Sequence, residues 1–139
     1  MRKAHLLAGI IAVTAFLVTG QIMAHRTPPM ATLGADVRLL FRSRHIYILA
    51  AGLVNLMLGL YMQPQTGWRG VGRSIGSGLV VLSPAMLIIA FAIEPRRGFQ
   101  EEMRWSAAGL YALFGGSVAH LASWISEAPA EGKTKARVA

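Results

Sequence analysis

The sequence predicts an all-α fold: a polytopic four-transmembrane-helix bundle with a short amphipathic helix before the second span. Four apolar segments are each long enough to cross a bilayer. Charged residues make up 14% of the chain, against about 25% in a typical soluble domain, and they are concentrated between those segments. Aromatic side chains lie near the segment ends, as expected where Trp and Tyr rings sit at the two membrane interfaces.

The four apolar segments cover residues of about 4–24, 46–63, 74–93 and 105–126. The side chains in them that can carry a charge near neutral pH are His5 and His120. A helix of about 20 residues spans the hydrocarbon core, and lipid favours helices because every backbone polar group must be paired internally. Residues 127–139 are polar and charged, and we interpret them as a disordered tail.

The first segment follows a basic Met1-Arg2-Lys3 start, which is also typical of a secretory signal peptide. Its apolar run exceeds the usual length of about 7–15 residues, and no small-x-small cleavage site closes it before His25-Arg26. We therefore interpret this segment as a retained transmembrane helix.

Basic residues do not decide the orientation, because half of the 14 Lys and Arg residues fall on each side of the predicted bundle. The positive-inside rule therefore favours neither orientation. The basic start favours cytoplasmic termini, so we expect a multi-pass protein of a bacterial inner membrane with both termini in the cytoplasm.

The first loop predicts the amphipathic helix. Thr27-Pro28-Pro29 is typical of a helix start, with Thr as N-cap and Pro in the first turn. The residues that follow at three- and four-residue spacing would share one helix face: Met30, Leu33, Val37, Leu40, Phe41 and Arg44. The pattern suits a short basic helix lying in the interface, although an extension of the second span would fit the same residues.

Aromatic and basic residues predict contacts with the interface. Tyr61, Trp68 and Trp124 fall on one side, Tyr47 and Trp105 fall on the other, and Tyr111 is expected to pack inside. The residues expected to contact lipid headgroups are Arg38, Arg42, Arg44, Trp68, Trp105 and Trp124. Anionic headgroups attract such basic residues, which explains the net charge of +8 without a nucleic-acid partner.

Small residues on one face of each segment predict where the helices pack, because helices in lipid associate by close approach and hydrogen bonds. Asn55 is the most polar side chain near mid-membrane and is expected to find a partner inside the bundle. Pro84 removes a backbone hydrogen bond and is expected to kink the third helix. The predicted packing positions are Gly9, Gly52, Asn55, Gly59, Gly72, Gly76, Pro84, Gly109 and Gly116.

The four histidines form two predicted pairs, because alternating helices bring His5 near His120 on one side and His25 near His45 on the other. Such pairs would suit two b-type haems with bis-histidine ligation. Copper is a related hypothesis, since thioether and imidazole ligands suit Cu(I). The potential copper ligands on one side are Met23, His25, Met30, His45 and Met103.

Catalytic motifs are absent from the sequence. It contains no His-Glu-x-x-His, no Gly-x-Ser-x-Gly and no phosphate loop. It also has no cysteine, which excludes disulfides and thiolate metal sites. Glu94, at the end of the third segment, is expected to pair with Arg97, Arg73 or Arg104 rather than to relay protons.

These patterns favour a small non-catalytic accessory or scaffold subunit of a larger membrane complex. Its expected partners are the bilayer and either other membrane subunits or further copies of itself. Two alternatives stay open: a haem or copper redox protein that uses the histidine pairs, and a small oligomeric transporter built around Asn55 and Pro84.

Overall fold

The computed structural model describes residues 1–62, 68–97 and 103–125, and this part of the chain forms four α-helices. They are α1 (Arg2–His25), α2 (Ala35–Tyr61), α3 (Trp68–Arg97) and α4 (Arg104–Ile125), with a short 3₁₀ turn at Met30–Thr32. Three helical stretches are long and apolar enough to cross a membrane: α1, α2 and the Val71–Arg96 part of α3. The all-α prediction is thus confirmed with three candidate spans.

The fourth span stays a prediction, because α4 is not among those three stretches. This helix is 22 residues long and carries His120 together with several serines and glycines. Predictions about residues 127–139 and about the side chains of Trp68 and Trp124 lie outside the described residues.

The prediction of a separate amphipathic helix before the second span is wrong. After the turn at Met30–Thr32, α2 begins at Ala35 with Gly34 as its N-cap and continues without a break to Tyr61. No proline interrupts this stretch, and the carboxylate of Asp36 in the first turn suits the positive end of the helix dipole. The basic segment is therefore an extension of α2, which was the alternative interpretation.

Glycines set the contact between α1 and α2, which run antiparallel. A Cβ atom on Gly9 would lie 2.7 Å from Leu56 Cγ, and one on Gly59 would lie equally close to Leu6 Cγ. A Cβ on Gly52 would meet Ala12 at 3.1 Å. Such close approach maximises van der Waals contact where lipid supplies no hydrophobic drive.

Glycines also set the contact between the antiparallel helices α3 and α4. A Cβ on Gly116 would lie 2.6 Å from the carbonyl oxygen of Gly76, and one on Gly109 would lie 2.8 Å from Leu87 Cγ. The prediction that Gly72 is a helix-packing position is wrong, since a Cβ there would meet nothing within 4 Å. It lies one turn before the helix contact and takes no part in it.

The core lies where the first three helices meet and continues against α4. Its fully or nearly buried apolar side chains are Ala12, Phe41, Ile48, Ala51, Val80, Leu87, Phe91 and Leu113. At one end Arg2 closes the bundle, because its Nε donates to the carbonyl oxygen of Gly59 at 3.0 Å. That carbonyl belongs to the last turn of α2, where a cation is favoured by the helix dipole.

Candidate functional site

The structure brings His5 of α1 and His120 of α4 together. Their ring centroids lie 5.9 Å apart in an edge-on arrangement, and both side chains are buried. His5 Nδ1 bonds to Asn55 Oδ1 at 2.9 Å, and His120 Nε2 bonds to the Ser77 hydroxyl at 3.0 Å. Each ring therefore has one nitrogen tied to a neighbouring helix.

The other ring nitrogens, His5 Nε2 and His120 Nδ1, are buried without a hydrogen-bond partner. The tautomer of His5 follows from its neighbour. Asn55 Nδ2 donates to two backbone carbonyls, so Asn55 Oδ1 is an acceptor and His5 Nδ1 must carry the proton. Neutral His5 consequently presents the lone pair of Nε2, the form in which an imidazole accepts a hydrogen bond or ligates a metal.

The other two histidines, His45 and His25, have different surroundings. His45 stacks on Phe16 with ring centroids 4.0 Å apart, and its Nδ1 bonds to Thr19 Oγ1 at 2.9 Å. His25 is exposed at the end of α1. The histidines predicted as haem ligands thus divide into one buried pair and two residues with separate surroundings.

The methionines considered with a copper site have other contacts. Met103 Sδ accepts a hydrogen bond from Arg44 at 2.9 Å, and Met30 Sδ lies 3.9 Å from a nitrogen of Arg26. Within the described ranges, no three His, Asp or Glu side chains converge as a metal-binding group.

Asn55 connects α2 to the proline of α3. Pro84 has no backbone N–H, so the carbonyl of Val80, four residues earlier, loses its usual helical donor. Asn55 Nδ2 and the Ser83 hydroxyl each donate to that carbonyl at 2.9 Å. The fully buried Asn55 amide thus bonds His5, α2 and α3 at once, in the structural role expected of it.

Substituting Asn55 with Leu is expected to lower the free energy of unfolding by about 2 kcal/mol, because it leaves His5 Nδ1 unpaired and removes a donor from Val80. In a Pro84→Ala background the restored N–H can bond to Val80, so the cost of Asn55→Leu should fall by roughly 1 kcal/mol. Unfolding in detergent micelles measures both values. Equal costs in the two backgrounds would contradict the link between Asn55 and Pro84.

A second polar cluster joins α2, α3 and the start of α4 at the opposite end of the bundle. Arg44 Nε bonds to Glu94 Oε2 at 2.9 Å, and the two side chains are 6% and 5% exposed. Glu94 Oε1 accepts from the backbone N–H of Ser106 at 2.9 Å. Glu94 therefore neutralises Arg44 and also caps α4 from another helix, at the positive end of its dipole.

This arrangement differs from the sequence predictions for both residues. Glu94 pairs with Arg44, which lies 50 residues away in the chain and was not among the three arginines considered. Arg44 was predicted to contact headgroups, yet it lies inside the bundle. Of the other predicted headgroup residues, Arg42 and Trp105 are exposed and Arg38 is half-buried.

Tyr111 lies on the outside, so its predicted inward packing is wrong. Its side chain is 78% exposed near the middle of α4, next to Phe114 at 73%. The reason is helical geometry: Gly109 faces α3, and a residue two positions later lies about 200° around the helix. Gly115 lies on the same outer face, and a Cβ atom added there would meet nothing within 4 Å.

Comparison with known proteins gave no match to a protein family, a curated protein or a solved structure. The class of protein therefore follows from the fold. An all-helical chain with three candidate spans, glycine-mediated helix contacts and a largely apolar exterior is consistent with a small integral membrane protein.

Proposed function

We propose that this chain is a four-span integral membrane protein that serves as a non-catalytic accessory subunit of a larger membrane complex. The observation that carries the proposal is the outer face of α4. That face presents Tyr111, Phe114, Gly115 and Val118 away from the bundle.

The assignment of α4 as the fourth span rests on its packing. It lies antiparallel against α3, with Gly116 on Gly76 and Gly109 on Leu87. The large side chains on its outer face are apolar or aromatic, as expected where lipid or another membrane helix surrounds them. From this packing along a candidate span we infer that α4 crosses the same hydrocarbon layer.

The outer face of α4 differs from a surface suited only to lipid. A phenol placed in hydrocarbon without a hydrogen-bond partner is costly. The Tyr111 hydroxyl has no hydrogen-bond partner within the described part of the chain. Beside it, Gly115 leaves a notch that would let a second helix approach closely. By contrast, the exposed face of α1 is aliphatic, with Leu7, Ile10 and Leu17.

The inferred occupant is a transmembrane helix of another subunit, which supplies a hydrogen-bond acceptor for Tyr111 and a side chain for the Gly115 notch. The polar clusters inside the bundle support a structural role, because the bonds of Asn55, Arg44 and Glu94 join the helices to one another. A rigid bundle with one outward-facing docking helix suits an accessory subunit.

The test is extraction of the tagged protein from its own cells in mild detergent, followed by native electrophoresis. We expect it to migrate with another membrane protein. Gly115→Leu should reduce the bound fraction on the order of tenfold or more, since it fills a central interface position. Gly78→Leu is the matched control, because Gly78 of α3 also has nothing within 4 Å of a Cβ but lies off this face.

Migration of the wild-type protein as a lone monomer or as a homo-oligomer without another protein would contradict the proposal. So would an equal loss of the complex in Gly115→Leu and Gly78→Leu. If only Gly115→Leu dissociates the complex, Tyr111→Phe then tests the hydroxyl alone and should weaken the interaction further than its small change in volume explains.

A further inference from the structure

A groove opens where α1 ends, α2 begins and α3 ends. Its volume is about 290 Å³, and it is lined by Ile22, Met23, Arg26, Phe41, Phe91, Ala92 and Arg96. Phe41 and Phe91 meet edge to face at 5.4 Å between ring centroids. The lining is thus apolar except for two arginines.

The two arginines make one end of the groove positive. The Arg26 guanidinium lies 4.5 Å from the centre of the Phe41 ring, which holds it over the groove. Two of its five N–H groups point to Pro28 O and Met30 Sδ. The other N–H groups can donate to a ligand. Arg96 is exposed at the end of α3.

Among the residues that the structure describes, no acidic side chain lines the groove to offset this charge. Glu94 lies only two residues from Arg96, but both of its carboxylate oxygens are engaged by Arg44 and Ser106. The described lining therefore leaves the pair of guanidinium groups available to an external anion.

We propose that this groove binds one anionic phospholipid, with the phosphate between Arg26 and Arg96 and an acyl chain against Phe41, Phe91 and Ile22. The two ends of the groove determine this class of ligand. Arg26 and Arg96 lie at helix ends, near the membrane surface, whereas Ile22 and Phe91 lie about one turn deeper. An amphiphile with an anionic headgroup at the surface and an apolar chain below it matches both the positive and the apolar end of the groove. Basic pockets between membrane helices bind such headgroups.

The test is a titration of the purified full-length protein with phosphatidylglycerol, followed by native mass spectrometry. Phosphatidylcholine with the same acyl chains is the reference lipid. The wild type should prefer the anionic lipid, and Arg26→Gln/Arg96→Gln should weaken its binding about thirtyfold, which corresponds to about 1 kcal/mol for each arginine. Arg38→Gln/Arg42→Gln is the matched control, because it removes two arginines from the same side of the bundle outside the groove.

A further variant separates the apolar end from the charges. Ala92→Trp places a large ring in the groove while both arginines remain, and it should also abolish the preference for phosphatidylglycerol. Excess inorganic phosphate should not displace the lipid. If Arg26→Gln/Arg96→Gln does not fold, Arg96→Gln alone removes an exposed side chain and should weaken binding about fivefold.

Undiminished binding in the arginine variants, the same loss in the control pair, or unchanged binding in Ala92→Trp would each overturn the proposal. Displacement by inorganic phosphate would also overturn it, because the ligand would then be the anion alone. The proposal does not depend on the partner inferred for α4, since the purified chain is tested without any other protein.

Discussion

Glu94→Gln is expected to lower the free energy of unfolding by about 3 kcal/mol or more, because it leaves the buried Arg44 charge without its counter-ion. The carboxylate of Glu94 also caps α4 through the N–H of Ser106. A Gln oxygen can still accept that bond, so the expected loss comes mainly from the charge. Unfolding of the purified protein in mixed micelles measures the effect.

Arg42→Met provides the control for this pair, since Arg42 lies on the same helix but is exposed. Its cost should stay within about 0.5 kcal/mol. In the double variant Arg44→Met/Glu94→Gln neither charge remains buried alone, and a large part of the lost stability should return. Additive costs for the two single changes would show that Arg44 and Glu94 are not coupled.

Gly116→Ala is expected to destabilise the protein by about 1–3 kcal/mol, because the new methyl group meets the backbone and α3 must move away from α4. The added Cβ would lie 2.6 Å from both the Gly76 oxygen and Val80 Cγ2. The carbonyl oxygen belongs to a helix and cannot turn aside as a flexible side chain can.

The neighbouring glycine gives the matched comparison. At Gly115 a Cβ meets nothing within 4 Å, so Gly115→Ala should be neutral or should stabilise α4 by up to about 1 kcal/mol through helix propensity. The difference between the two variants can be read from their thermal midpoints in the same detergent. Equal midpoints would contradict the close α3–α4 contact.

The helices could be predicted because their signals are local. Segment length, apolar composition and the absence of internal charge fix α1 and α3 without knowledge of their neighbours. The stripes of small residues likewise predicted the contacts at Gly9, Gly52 and Gly116, because one glycine-lined face suffices for close packing. Gly72 lay in the same kind of pattern, but the helix contact does not extend to it.

The polar pairings depend on how helices are rotated against one another, which local patterns do not give. Glu94 was expected to pair with an arginine close in the chain, whereas it meets Arg44 across the bundle. A signal was present nonetheless: Arg44 shares its helix face with Leu40 and Phe41, and a charge on an apolar face needs a buried counter-ion.

Asn55 and Tyr111 show the same limit of local patterns. The sequence predicts that Asn55 needs a partner and that Pro84 frees a carbonyl, but only the register of α2 against α3 shows that these two needs are met together at Val80. Tyr111 was placed inside because it lies away from the segment ends. Counting its rotation from Gly109 would have placed it outside.

The number of membrane crossings tests the central claim most directly. Because the chain has no cysteine, single cysteines at Lys3, Ala31 and Ala139 can be labelled with a membrane-impermeant maleimide on sealed vesicles. Four spans predict that Lys3→Cys and Ala139→Cys are labelled from the same side and Ala31→Cys from the other. Labelling of Ala139→Cys together with Ala31→Cys would show only three crossings and would contradict a membrane-spanning α4.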